Sequence, residues 1–282
     1  MMRLGGQGSG TDSSLTCAKS NFRIRWWLAG LMTGVLAVGT VLAGEAVLLL
    51  IIAMGLITTV HLGAMYVATL VWRVPVKEFK LFYGPSLITF CFRSTHVAVG
   101  CVPIGGYLNL PSKTNVAFHG GMQYTADVSS APEYYEDLRP WQCIIINLAG
   151  PLTLLAVSSL ILGPDVALKS YVRGFSQFLH GAFGPHSVAA PLLERVFLLL
   201  ETEGLLVVSA HFSAKLAALS CLPLGPTNGT NVLLELARWV SRKDVLWRPV
   251  KWFCSLGWLV FLLLIIAWAV GLFLAIYRHA LQ

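Results

Sequence analysis

Several stretches of this chain are long enough, and free enough of charge, to cross a lipid bilayer. Nothing else in the sequence restricts the backbone as strongly. Inside hydrocarbon no water reaches the peptide groups, so each must bond within its own helix, within a closed barrel, or against surrounding protein. Roughly 20 apolar residues span the ~30 Å hydrocarbon core as a helix. Trp26–Ala43, Ala46–Trp72, Trp141–Gly163 and Trp252–Tyr277 meet that requirement without a single charge. Val196–Leu224 is a fifth run, interrupted by Glu201, Glu203 and Lys215, and reads as a span with a broken or partly shielded interior. Of the 282 residues only 12% are charged; a soluble domain carries roughly twice that fraction. The expected fold class is a polytopic α-helical membrane protein with about five transmembrane helices.

Charge placement predicts an orientation. Arg3, Lys19, Arg23 and Arg25 precede the first run. Arg73, Lys77, Lys80, Arg93 and Lys113 lie between the second and third, and Arg238, Arg242, Lys243, Arg248 and Lys251 between the fourth and fifth. The opposite loops carry only Lys169, Arg173 and Arg195. The positive-inside bias then puts the N-terminus in the cytoplasm and the C-terminus on the other side. The formal charge of +7 sits at membrane flanks, which excludes the single basic patch that nucleic acid requires. Residues 1–22, rich in Gly and Ser, read as a disordered cytoplasmic leader. Residues 23–44 read as an extra N-terminal transmembrane helix and not a cleaved signal, because the next apolar run starts almost at once. Residues 45–282 form the membrane core. The six cysteines make no CxxC pair and read as small buried hydrophobes.

Between the second and third spans the character changes. In 76–110, Phe90, Phe92, Val97, Val99 and Val102 favour strands, with "RST" as a turn between two of them. Gly84-Pro85 opens this unit, and Pro103 with Gly105-Gly106 closes it. Apolar strands between two spans predict a small β-hairpin or sheet dipping into the membrane edge, tolerable only if packed on protein. Residues 111–140 read as a cytoplasmic loop and 164–195 as an external loop, too short for an inserted domain.

Along the core, "LGAMYVATL", "FYGPSL", "VPIGGYL", "RPWQCIIINLAGP" and "CLPLGPTNG" follow one another at regular distances. Together they resemble the site-2 protease (M50-type) family of intramembrane zinc metalloproteases, over most of the chain after residue 45. The resemblance implies a site-2-protease-like core: a helix carrying HExxH, a membrane-dipping β-region, a span with A-G-P-x-x-N, and a broken helix bearing a third, aspartate ligand.

The same resemblance implies that the chemistry is lost. With Leu62-Gly63 set on the family's H-E-L-G-H, Val60 stands at the first ligand histidine, His61 at the catalytic glutamate and Ala64 at the second histidine. Asn228 stands at the aspartate, Thr153-Leu154 follow where the family has asparagine, and Lys215 falls near another asparagine position. A one-residue gap would make His61 the first ligand, with no glutamate after it. A catalytic zinc takes three protein ligands and an open position for water, whose pKa it lowers to about 7. Val60 and Ala64 have no lone pairs to offer. The expectation is a degenerate member without zinc ligands, cofactor or PDZ domain, in which His61 is a packed intramembrane histidine.

Such a chain would be a binding or structural subunit. It would hold a transmembrane or extended segment of a partner membrane protein, or sit in a larger membrane complex, by strand addition on the β-region. The predicted partner-facing residues are Gly84, Pro85, Val97, Val99, Cys101, Pro103, Gly105 and Gly106. Two alternatives remain at this level. One is an active protease with a relocated zinc site using His61, His211 and another residue. The other is a transporter-like protein, suggested by five spans and Lys215 but supported by no internal repeat.

Overall fold

The computed structural model describes residues 45–92, 95–112, 122–126, 135, 138–225, 227–241 and 247–280. The leader and the first predicted span lie outside these residues, as does much of the predicted loop 111–140. Helix α1 runs over Glu45–Val71. Its end is set by Arg73 in the left-handed region (φ 55°), with Arg73 N–H bonded to Leu70 C=O and Val74 N–H to Thr69 C=O, both at 3.0 Å. This paired bonding satisfies the last carbonyls, and Pro75 prevents the helix from continuing.

The β-region folds back on itself. Strand β1 (Glu78–Phe92) pairs with β2 (Thr95–Ser112), and β2 runs parallel to β3 (Met122–Ala126). The first half of β1, Glu78–Leu81, lies beside both His96–Val99 and Gly106–Asn109, while its second half pairs Ser86 with Gly100 through Phe92 with Thr95. Both strands therefore bend in the middle. At the β1 bend Gly84 takes φ +87°, and at the β2 bend Gly105 and Gly106 take +65° and +153°. Gly100 is needed for a different reason: a Cβ there would fall 2.4 Å from the carbonyl oxygens of Phe82 and Tyr83. The folded sheet rests on α1, where Gly55 lies beside Pro103 and Phe82, and Leu62 beside Gly106. Gly105 N–H also donates to Thr58 Oγ1 at 3.4 Å. Packing on protein is what the sequence demanded of strands at this depth.

Helix α2 (Pro140–Leu162) opens with Pro at its first position, and Gln142 Oε1 accepts from Arg139 N–H at 2.9 Å. After it the predicted external loop is instead helical. α3 (Pro164–Phe183), a π-helical turn (Pro185–Ala189) and the start of α4 (Ala190–Thr202) occupy residues 164–195. Asp165, Lys169 and Arg173 lower the hydropathy of this stretch, but Ala167, Ser170, Gly174 and Gly181 bury one small-residue face. A Cβ at Gly174 would come within 3.0 Å of Lys215 Cα on α5 (Gly204–Cys221), so the two backbones nearly touch. The predicted span Val196–Leu224 is likewise two helices, divided at Gly204 with φ +80°. α6 (Asn228–Ser241) and α7 (Trp247–Ala280) complete the fold. The predicted loop 111–140 also gains structure, through β3 and through Tyr135, which is buried. Among the described residues four helices are long and apolar enough to cross a membrane: α1, α2, α5 and the Trp252–Arg278 part of α7.

Candidate functional site

Three elements converge where the resemblance locates its metal. The first is the α1 face carrying His61 and Met65, four residues apart and so stacked on one side of the helix. The second is Gly150 on α2, one residue before Pro151, whose ring removes a helical donor. A Cβ at Gly150 would lie 2.6 Å from the His61 ring, so the imidazole fills the space that glycine leaves.

The third element is the break between α5 and α6. Thr227 Oγ1 donates to Leu222 C=O and accepts from Leu224 N–H, holding the turn closed. Gly229 then passes so near the Cys221 carbonyl that a Cβ would sit 2.2 Å from its oxygen. The result places Asn228, 2% exposed, against α1. Its Nδ2 lies 3.3 Å from His61 Nε2 and 3.6 Å from Met65 Sδ. With Nδ2 donating to Nε2, the neutral ring carries its proton on Nδ1, which is buried without a hydrogen-bond partner.

A second layer of amides braces the site. Asn231 Nδ2 donates to Asn147 Oδ1 at 2.9 Å, and Asn147 Nδ2 donates to Tyr135 Oη and Cys143 C=O, each at 2.8 Å. These bonds tie α6 to α2 and to the segment before it. In that setting Arg238 Nη2 reaches Leu138 C=O at 3.0 Å and Glu235 at 3.0 Å.

The model of peptidase family M50 matches residues 49–265, which contain α1, the sheet and the broken helix. The chain belongs to this family. Among curated proteins it is 30% identical over 109 residues to a Chlamydia pneumoniae protein, covering 38% of this chain and 17% of that one. It is 26% identical over 128 residues to one from Chlamydia trachomatis, 45% and 20% respectively. A Fusobacterium nucleatum protein is 27% identical over 120 residues, 41% of this chain and 33% of its own length. All three carry the name "Putative zinc metalloprotease". The matches thus cover a third or less of each relative. With its four candidate spans, this M50 chain is an integral membrane protein.

The structure changes the register of the M50 motif. His61 and Asn228 lie side by side, whereas Val60 packs with a different cluster, Ile57, Leu154 and Ala217. The partner of Asn228 four residues on is Met65, so the family's H-x-x-x-H falls on His61 and Met65 and its glutamate on Leu62. Val60 and Ala64 sit one residue, roughly 100° of helix rotation, off that face. Gly63 makes no close helix contact, as nothing lies within 4 Å of a Cβ there. The donor set is then an imidazole, a thioether and a neutral amide. Zinc sites in proteins use imidazole, thiolate and carboxylate, and among the described residues no three His, Cys, Asp or Glu converge. The residues do not fit zinc. For the relocated site, no group of three His, Cys, Asp or Glu that could hold a metal occurs among the described residues, and His211 Nδ1 is bonded to Ser170 Oγ at 2.9 Å on α3.

The predicted partner-facing residues mostly build the sheet. Gly84 meets Cys101 Sγ, Pro103 meets Gly55, and Gly105 and Gly106 meet Tyr83 and Leu62. Val97 is buried, and the strand half carrying Val97 and Val99 is paired on both sides, so it cannot accept another strand. The second half of β1, from Ser86 to Phe92, is paired on one side only, and Ile88, Phe90, Cys91 and Phe92 are exposed there; Tyr83 and Pro85, just before it, are exposed too.

Proposed function

We propose that this M50 protein is non-proteolytic and holds a segment of another membrane protein. The observation that carries the reading is the Asn228–His61–Met65 contact, in which the groups standing at the ligand positions bond to one another. An amide in place of a carboxylate cannot neutralise a divalent cation, and a methionine sulfur is a poor zinc ligand. What the chain retains is the sheet. An extended segment lying along β1 needs backbone hydrogen bonds and pockets for alternate side chains, neither of which depends on a metal. Ile88, Phe90 and Phe92, exposed by 60%, 51% and 50%, are apolar side chains on that strand half.

Two measurements test the two halves. Purified protein is expected to contain far less than one zinc per chain by elemental analysis. One tightly held zinc that disappears in His61→Ala would instead support the activity named for the relatives. Photo-crosslinkers at residues 88 and 90 are expected to capture a membrane polypeptide in native membranes, more than one at buried residue 97. Capture of lipid alone at 88 and 90 would sink the holding role.

A further inference from the structure

Lys215 lies in the second half of α5, one of the candidate spans. A charge inside a span is costly and marks a functional site with a partner to be named. Neither the Arg238–Glu235 nor the Arg278–Glu194 ion pair includes it. Arg173 precedes Gly174, where a Cβ would lie 3.0 Å from Lys215 Cα at the contact between α3 and α5. His211, one turn earlier, is engaged with Ser170. Lys215 is thus a half-buried ammonium within an apolar helix.

Lys215 also lines a half-open cavity of about 240 Å³ bordered by residues of α1, α3, α4, α5 and α7. Its walls are apolar, with Met54, Phe178, Leu193, Phe212 and Trp268 among them, and among the described residues Gln177 is the other polar side chain. Trp268 is fixed there by donating Nε1–H to Phe178 C=O at 2.9 Å and by stacking on the Phe178 ring. An apolar cavity of ~150 Å³ suffices to hold a benzene-sized molecule, so this one has room for part of a hydrocarbon chain. We propose that the cavity binds an anionic amphiphile, its chain against the apolar wall and its acid group on Lys215. A neutral hydrocarbon would leave the ammonium without a counter-charge. A free inorganic anion would leave the apolar wall unfilled.

The acid group is a fatty carboxylate or a lipid phosphate, and the experiment separates them. Purified full-length protein in neutral detergent is labelled with a diazirine analogue of palmitic acid, and crosslinks are mapped by mass spectrometry. Labels are expected on α3, α5 and α7. Competition by oleate but not dioleoyl phosphatidylglycerol assigns the carboxylate, and the converse assigns the phosphate. Lys215→Met is expected to reduce labelling about tenfold or more, a loss typical of a charged hydrogen bond, while Lys215→Arg retains most of it. Leu219→Trp, which fills the cavity and leaves Lys215 in place, is expected to abolish labelling. Equal competition by oleyl alcohol, or full labelling of folded Lys215→Met, overturns the proposal. So does full labelling of Leu219→Trp, which decides the matter if Lys215→Met does not fold.

Discussion

Between α1 and α2 the His61 ring occupies the volume that a Cβ at residue 150 would need, 2.6 Å away. Cores resist added atoms because neighbours must leave their rotamers or the backbone must shift. Gly150→Ala is therefore expected to destabilise the protein by about 1–3 kcal/mol. The His61→Ala, Gly150→Ala double variant should lose less than the sum of the single losses, since the clash has gone. Thermal unfolding of the four proteins in one detergent checks this, and strict additivity would show that the two residues do not touch. At this scale the sequence pointed to His61 as a polar residue in an apolar helix, and to Asn228 through its place in the family's last motif. It did not point to Met65, because a methionine in an apolar helix carries no signal of its own. Asn147 is legible as an amide deep in "CIIINLAGP", but it lies about two turns before the position after Gly150-Pro151 that the family resemblance marks for asparagine.

At the scale of elements, the β-region shows what composition conveys and what it leaves out. β-prone residues and the Gly84-Pro85 and Gly105-Gly106 pairs located the strands. Their folding over cannot be read from alternation, because it depends on residues far apart in sequence meeting at Gly100 and Gly106. Gly100→Ala would drive a Cβ into two backbone carbonyls at 2.4 Å, and backbone cannot rotate away as a side chain can. Hydrogen exchange over residues 78–112 is expected to rise in this variant while helix content by circular dichroism stays unchanged. Wild-type protection across 78–112 would contradict the bent register. α3 was missed for the opposite reason. Its three charged residues made 164–195 look like solvent-facing loop, whereas a stripe of small residues is enough to pack it on α5.

For the whole molecule, the arrangement of α1, α2 and the α5–α6 break can persist without a metal because each contact has its own cause. Gly150 admits the imidazole, Gly229 admits the Cys221 carbonyl, and the Asn147–Asn231 bond locks α2 to α6. The sequence motifs placed these helices in the right order but could not fix rotation about α1, where one residue changes the face by roughly 100°. Two reversions separate the alternatives. Met65→His with Asn228→Asp supplies two imidazoles and a carboxylate on the face seen here, with an open fourth position. Val60→His, His61→Glu, Ala64→His and Asn228→Asp supply them in the motif register. The double variant is expected to bind one zinc per chain and the quadruple variant none, as measured by elemental analysis after chelator washing. Zinc in the quadruple variant and none in a folded double variant would mean that Val60 and Ala64 face the site after all. Proteolysis is not expected to return with the zinc. A general base would have to enter at Leu62, which is 3% exposed and packed on Gly106, where a carboxylate would be buried without a partner. The loss of activity proposed here is therefore built into the contact between α1 and the sheet as well as into the ligands, so restoring the metal alone does not reverse it.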